Sequence, residues 1–198
     1  MTDKREAGAK PRLFVFTGPD GSGRKTIADM TGSTLELKKA LSYTTREPRP
    51  GEREGQDYHF IDQESFLQAK ANGEFVEAVF TEGHHYGIKQ SDIEKLWSEH
   101  RFVYVILNPE GARMLKQAYG DRVIRLFLYA DRESLWRRQV DRGDGVEAVE
   151  SRMSLYSAAM SHLPECEHSF ENVDLSHTVF SITNVIERYL NRQLLNLD

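Results

Sequence analysis

Arg12-Leu13-Phe14-Val15-Phe16-Thr17-Gly18-Pro19-Asp20-Gly21-Ser22-Gly23-Arg24-Lys25-Thr26-Ile27-Ala28-Asp29-Met30 runs from an apolar segment into a glycine-rich turn and out into a helical pattern. Residues 12–16 read as a short buried strand, and a helix is expected from about residue 25 to 30. A turn of this kind suits phosphate, because backbone without side chains lets its N–H groups converge at a helix N-terminus, where the dipole favours anions. Gly18 and Gly23 have the spacing of the phosphate-loop pattern G-x-x-x-x-G-K-[ST], which makes Gly18, Asp20, Gly21, Ser22, Gly23, Arg24, Lys25 and Thr26 candidate phosphate contacts. Arg24 and Lys25 stand where the pattern has Lys and then Ser or Thr. Sliding the register by one residue would make Lys25-Thr26 the usual pair, but it turns both side chains by about 100° around the helix, so the unslid register is preferred. There Arg24 still reaches phosphate, while Lys25 puts a positive charge where a metal-binding hydroxyl is wanted.

Outward from this turn, residues 102–107 and 122–130 are further apolar segments rich in β-branched and aromatic residues, and residues 110–119 are helical in character. Strands alternating with helices predict an α/β fold, a parallel sheet flanked by helices. Residues 42–86 differ: the stretch is turn-rich at 48–55, has short extended pieces at 56–61 and 75–80, and reads as a subdomain inserted into the sheet. Residues 132–160 form a charged helical region broken at Arg142-Gly143-Asp144-Gly145, and residues 174–197 read as a terminal amphipathic helix.

The 198 residues suit a single domain. No apolar stretch approaches the roughly 18 residues needed to span a bilayer, and residues 1–10 mix charge signs without an apolar run, so no membrane partner is expected and the cytoplasm is the default location. One cysteine, Cys166, excludes an internal disulfide and a cysteine metal cage. A formal charge of −5 and the lack of an aromatic stacking series argue against nucleic acid. His84 and His85 are placed in a loop without a metal role, and Trp97 and Trp136 are read as packing residues.

The second informative stretch is Ser42-Tyr43-Thr44-Thr45-Arg46-Glu47-Pro48-Arg49-Pro50-Gly51-Glu52, continuing to Gly55-Gln56-Asp57-Tyr58-His59-Phe60. Two arginines on a proline-stiffened loop, flanked by hydroxyls, make a rigid donor cluster for a phosphate monoester. With the glycine-rich turn, with Gly73-Glu74-Phe75-Val76-Glu77 and Tyr86-Gly87, and with arginines after residue 131, this string resembles the guanylate kinase family over residues 13–186 or so. The resemblance implies a phosphate-loop core at about 11–41, 100–131 and 161–198, an inserted GMP-binding β subdomain at about 42–96, and a helical lid at about 132–160.

Residue by residue, it implies GMP as a ligand. Ser42, Arg46, Arg49 and Tyr58 fall on positions that hold the GMP phosphate, Tyr86 on a further hydroxyl, and Glu77 on the carboxylate that reads guanine. A carboxylate accepts from both N1–H and the 2-amino group, which adenine does not offer. Ile88 stands where the family has Ser or Thr. Arg138, Arg142 and, after a one-residue deletion, Arg152 match lid arginines, and Asn172 a position on the adenine side. The resemblance makes Arg24, Arg46, Arg138 and Arg142 the catalytic set, neutralising charge on a phosphoryl group in transfer from ATP.

Mg²⁺ is the cofactor that the resemblance implies, yet Ile106 and Asn108 stand at the family's two acidic positions and Lys25 at its hydroxyl, so no residue is assigned as a metal ligand. Two readings follow from these departures. One is a guanylate kinase-like protein that binds GMP with phosphotransfer weak or absent, including the case of a nucleotide-responsive module for an unknown protein partner. The other is an active enzyme making GDP from GMP and ATP.

Overall fold

The computed structural model describes residues 10–190. Among them, nine strands and eight α-helices follow in order: β1 (Arg12–Thr17), α1 (Arg24–Thr34), β2 (Lys38–Lys39), β3 (Tyr43–Thr44), β4 (His59–Phe60), α2 (Gln63–Ala71), β5 (Phe75–Thr81), β6 (His84–Lys89), α3 (Gln90–Glu99), β7 (Phe102–Ile106), α4 (Pro109–Tyr119), β8 (Val123–Tyr129), α5 (Arg132–Asp141), α6 (Val146–Ser154), α7 (Tyr156–Met160), β9 (His168–Glu171) and α8 (Leu175–Leu190). The reading of residues 1–9 as neither signal nor transit segment, and residues 191–197 of the expected terminal helix, lie outside the described residues.

The main sheet has the order β2-β7-β1-β8-β9, and every neighbouring pair is parallel. β1 is central, with Leu13 opposite Val103 on one side and Val123 on the other. Its alternating side chains serve two cores. Phe14 and Phe16 pack with Ile27 of α1 and with Ile182 and Ile186 of α8, whereas Leu13 and Val15 pack with Ile93 and Trp97 of α3 and Leu115 of α4. Burial on both faces explains why β1 reads as a continuous apolar run and why β8 is apolar on either side of Arg125. Each large side chain so buried stabilises the fold by about 1.5–3 kcal/mol. Because α1 leaves β1 on one face and α4 leaves β7 on the other, a crevice opens at the C-terminal ends of these strands.

A second sheet, β4-β3-β6-β5, lies within residues 43–89. β5 and β6 form an antiparallel hairpin whose register shifts between Phe75 and Glu77. The stretch also contains α2, where extended and turn structure alone was expected. Asp62 starts that helix by accepting from the Ser65 N–H at 2.8 Å, and only Phe66 and Ala69 are buried, too few to set up a visible period. His84 and His85 open β6 instead of lying in a loop, and His85 stacks on Phe66 with ring centroids 5.1 Å apart. Trp97 is a packing residue, but Trp136 is 36% exposed.

Candidate active site

The loop between β1 and α1 is shaped by what lies behind it. Gly18 has φ 134°, and a Cβ there would sit 1.9 Å from the Leu128 carbonyl oxygen, so any side chain would collide with the backbone of β8. Gly18→Ala is expected to lower the thermal midpoint by roughly 5–10 °C in a melting experiment, through strain and displacement of the loop. Gly145→Ala, at a glycine with open space around it, is expected to stay within about 0.5 kcal/mol of wild type. Asn172, buried after β9, donates to the Ser22 carbonyl at 2.9 Å and lies 3.3 Å from the Thr178 hydroxyl. Its amide braces the loop from behind.

α1 begins at Arg24, directly after Gly23. The Arg24 guanidinium spans the loop, donating to the Leu107 carbonyl at 3.0 Å and pairing with Asp20. Lys25, one residue on, points elsewhere: its ammonium lies 2.8 Å from Asp57 and 3.7 Å from Asp29. The hydrogen bond with Asp57, opposed by burial, holds the Lys25 pKa above the ordinary lysine value and the Asp57 carboxyl below its own.

Across the crevice, Arg46 is 9% exposed and donates to both oxygens of Glu52, at 2.9 and 3.1 Å, to the Glu47 carbonyl at 2.7 Å, and to the Tyr86 hydroxyl at 3.2 Å. Its guanidinium lies 5.5 Å from the centre of the Tyr58 ring. Burial pushes the Glu52 carboxyl up, but the hydrogen bonds from Arg46 and the Arg49 N–H outweigh it and hold the pKa below the usual range. Four of the five N–H groups of Arg46 are so donated, which fixes the orientation of the guanidinium and leaves one Nη2–H for a ligand.

Glu77 on β5 is the least conventional residue of the site. It is 1% exposed, and neither carboxylate oxygen has a hydrogen-bond partner. Burial, and then repulsion from Glu110, push its pKa up to about 8, against a weaker pull from the nearby Ile88 N–H, which does not reach hydrogen-bonding geometry with either oxygen. A Cβ on Gly111 would come within 2.5 Å of Glu77 Oε1, so the first turn of α4 admits the carboxyl because that position is glycine. Asn108 supplies the helix cap there, accepting from the Gly111 N–H at 2.8 Å. Ile88 is fully buried with Ile93 and Leu115.

These groups share one cavity of about 400 Å³. Of the residues singled out from the sequence, Asp20, Gly21, Gly23, Arg24, Lys25, Thr26, Ser42, Arg46, Arg49, Tyr58, Glu77, Tyr86, Arg138 and Arg142 line it, together with Ile106, Asn108 and Arg152. Gly18 and Ser22, within the loop, and Asn172, which braces it, are not among the lining residues. Two carboxylates in the lining had no assigned role in the sequence reading. Glu52 holds Arg46. Glu82, at the tip of the β5–β6 hairpin, lies 2.9 Å from Arg152 of α6 and 3.9 Å from Arg49. Arg152 also pairs with Asp144 at 2.6 Å, which in turn holds Arg142. Arg138 donates to the Asn172 carbonyl at 2.6 Å and leaves Nη1 buried without a partner. Glu-Gly at residues 82–83 was readable as a tight turn, but its pairing with a side chain 70 positions away was not.

The profile of the family described as "Guanylate kinase" matches residues 10–189. A guanylate kinase of Chlorobaculum tepidum is 34% identical over 183 residues, covering 90% of this chain and 93% of that protein. One of Sphingopyxis alaskensis is 35% identical over 165 residues, covering 82% and 75%. The crystal structure of guanylate kinase from Anaplasma phagocytophilum superposes with a TM-score of 0.75 over 93% of this chain and 88% of that one, at 24% identity, and so shares the fold. Among the described residues no helix is long and apolar enough to cross a membrane. With a glycine-rich loop at the end of a central parallel strand, a second sheet facing it across the cavity, and a family match along nearly all of its length, this chain belongs to the guanylate kinase family.

Proposed function

We propose that this protein binds GMP between its phosphate loop and its inserted sheet, and that transfer of a phosphoryl group from ATP to GMP is weak or absent. The observation that carries the GMP assignment is the Glu77 carboxyl, buried at the cavity wall with both oxygens unpartnered. Leaving such a group unsatisfied costs about 1–3 kcal/mol or more, and guanine offers two adjacent donors, N1–H and the 2-amino group, that would satisfy it. In this reading Ser42, Arg46, Arg49, Tyr58 and Tyr86 hold the phosphate, residues 42–96 form the acceptor subdomain, and residues 132–160 form the lid. Arg138 and Arg142 close over the phosphates, with Gly18 to Thr26 as the donor loop and Asn172 as its brace.

The weakness of donor chemistry is inferred from how the charges on that side are already committed. ATP is the donor, and Mg²⁺ the cation, that the family suggests. On the donor side the residues present fit a divalent cation poorly: Asp20 is taken by Arg24, and residue 25, where the phosphate-loop pattern carries a hydroxyl on Mg²⁺, is a lysine paired with Asp57. Ile106 and Asn108, at the end of β7, add no negative charge. Each contact absent from the transition state is worth about 2.7–4 kcal/mol, so two together lower the rate by several orders of magnitude.

Calorimetric titration with GMP, and with ATP in the presence and absence of Mg²⁺, followed by a coupled assay for ADP in the same samples, tests this. GMP binding with little or no ADP formed is the expected result. The second reading is an active enzyme, the activity for which the relatives are named, and rapid ADP formation that requires GMP would establish it and overturn ours. Absence of GMP binding would remove the assignment of Glu77.

A further inference from the structure

We infer that Lys25 is a positioning residue, whose ion pair with Asp57 ties the phosphate-loop helix to the segment presenting Tyr58 and thereby holds the acceptor half of the site in register with the loop. The inference rests on the reading of this cavity as a GMP site, and extends it to a residue that need not touch GMP.

Asp57 closes a tight turn: its Oδ2 accepts from the Arg53 N–H at 2.9 Å, and its own N–H donates to the Arg53 carbonyl at 3.1 Å. The next residue is Tyr58, whose ring lies against the Arg46 guanidinium and 6.1 Å, edge to face, from the Tyr86 ring. β4 follows at once and pairs with β3. An unbroken path therefore runs from the first turn of α1 through Asp57 and Tyr58 to Arg46, the most heavily hydrogen-bonded cation of the cavity. The Asp57 side chain is only 13% exposed, whereas that of Lys25 is 58% exposed. Asp29, at 3.7 Å on the same helix, lies too far for a hydrogen bond. Lys25 thus places an ion pair between α1 and this turn at the position where the phosphate-loop pattern has a small hydroxyl, which could not span the gap.

The partial exposure sets the scale. Screened ion pairs of this type contribute modestly, so an effect of about three- to five-fold on GMP affinity is expected. The test uses the full chain as wild type, Lys25→Ser, Asp57→Asn, the double variant and Lys25→Arg, with two readouts: GMP affinity by calorimetry, and amide hydrogen exchange across residues 53–60 without nucleotide. Each single variant should weaken GMP by that factor and speed exchange in this segment, the double variant should be no worse than either single one, and Lys25→Arg should restore both. Additive effects in the double variant, or unchanged exchange in Lys25→Ser, would overturn the tether. A wild type that fails to bind GMP while exchange responds as described would leave the tether standing and sink the GMP assignment instead.

Discussion

Glu77→Gln is expected to weaken GMP binding by about two to three orders of magnitude while making the protein more stable at pH 8. The affinity loss follows from geometry: a carboxylate accepts from two guanine donors, whereas the glutamine amide accepts from one and turns its own N–H toward the other, leaving paired groups unsatisfied at about 3–4 kcal/mol in total. The stability gain follows from burial. Because the folded-state pKa of Glu77 is raised from 4.5 to about 8, the folded protein holds a proton that the unfolded chain has released between those values. Stability therefore falls as pH rises from about 4.5 to about 8 and levels off above. Glutamine removes this slope.

The same proton governs GMP. Two N–H donors favour the ionised carboxyl, so binding expels the proton from Glu77, and affinity should rise toward tenfold per pH unit up to about pH 8 and then flatten. AMP presents an acceptor at N1, gains nothing from the ionised form, and should lose ground to GMP across this window. Calorimetry between pH 7 and 9, above the second phosphate ionisation near 6, reads both slopes. A GMP affinity that is flat with pH in wild type, or unchanged in Glu77→Gln, would show that the base is not read by this carboxyl.

Much of this arrangement was visible in the sequence, for a physical reason. A glycine-rich turn between a buried strand and a helix restricts backbone geometry, and Gly18, wedged against the Leu128 carbonyl, permits few alternatives. The string from Ser42 to Phe60 could likewise be read because its prolines and arginines lie close together in the chain. The less legible features depend on partners distant in sequence or on weak periods. α2 buries only two side chains, so its helical pattern was masked by the extended pieces around it. Glu82 looks like an ordinary turn residue until α6 brings Arg152 against it. Lys25 was readable as a misplaced charge at the loop, but Asp57, its partner at 2.8 Å, lies far along the chain between β3 and β4. The hydrogen bond from the Asn172 amide to Ser22 joins residues 150 positions apart and was likewise not readable.

Arg24→Lys combined with Lys25→Ser is expected to raise phosphotransfer from ATP to GMP by at least about tenfold, and to raise the KM for GMP a few-fold at the same time. In the native loop the Arg24 guanidinium is spent on Asp20 of the loop and on the Leu107 carbonyl just beyond β7. A lysine cannot bridge both, so its ammonium is freed as a compact charge for the donor phosphates. Serine at residue 25 withdraws a positive charge from the loop and supplies the hydroxyl that the pattern G-x-x-x-x-G-K-[ST] carries on Mg²⁺. The gain should therefore appear only with Mg²⁺ present. It should also exceed the sum of the single changes, because residues acting on one transferring group are not additive. Loss of the Lys25 link to Asp57 accounts for the opposite movement in KM, which a uniformly damaged site would not separate from turnover. Assays of ADP formation with saturating ATP and varied GMP read the two parameters independently. An unchanged turnover in the double variant, with GMP still bound, would mean that Arg24 and Lys25 do not limit the donor half, and would move the deficit to Ile106 and Asn108 at the end of β7.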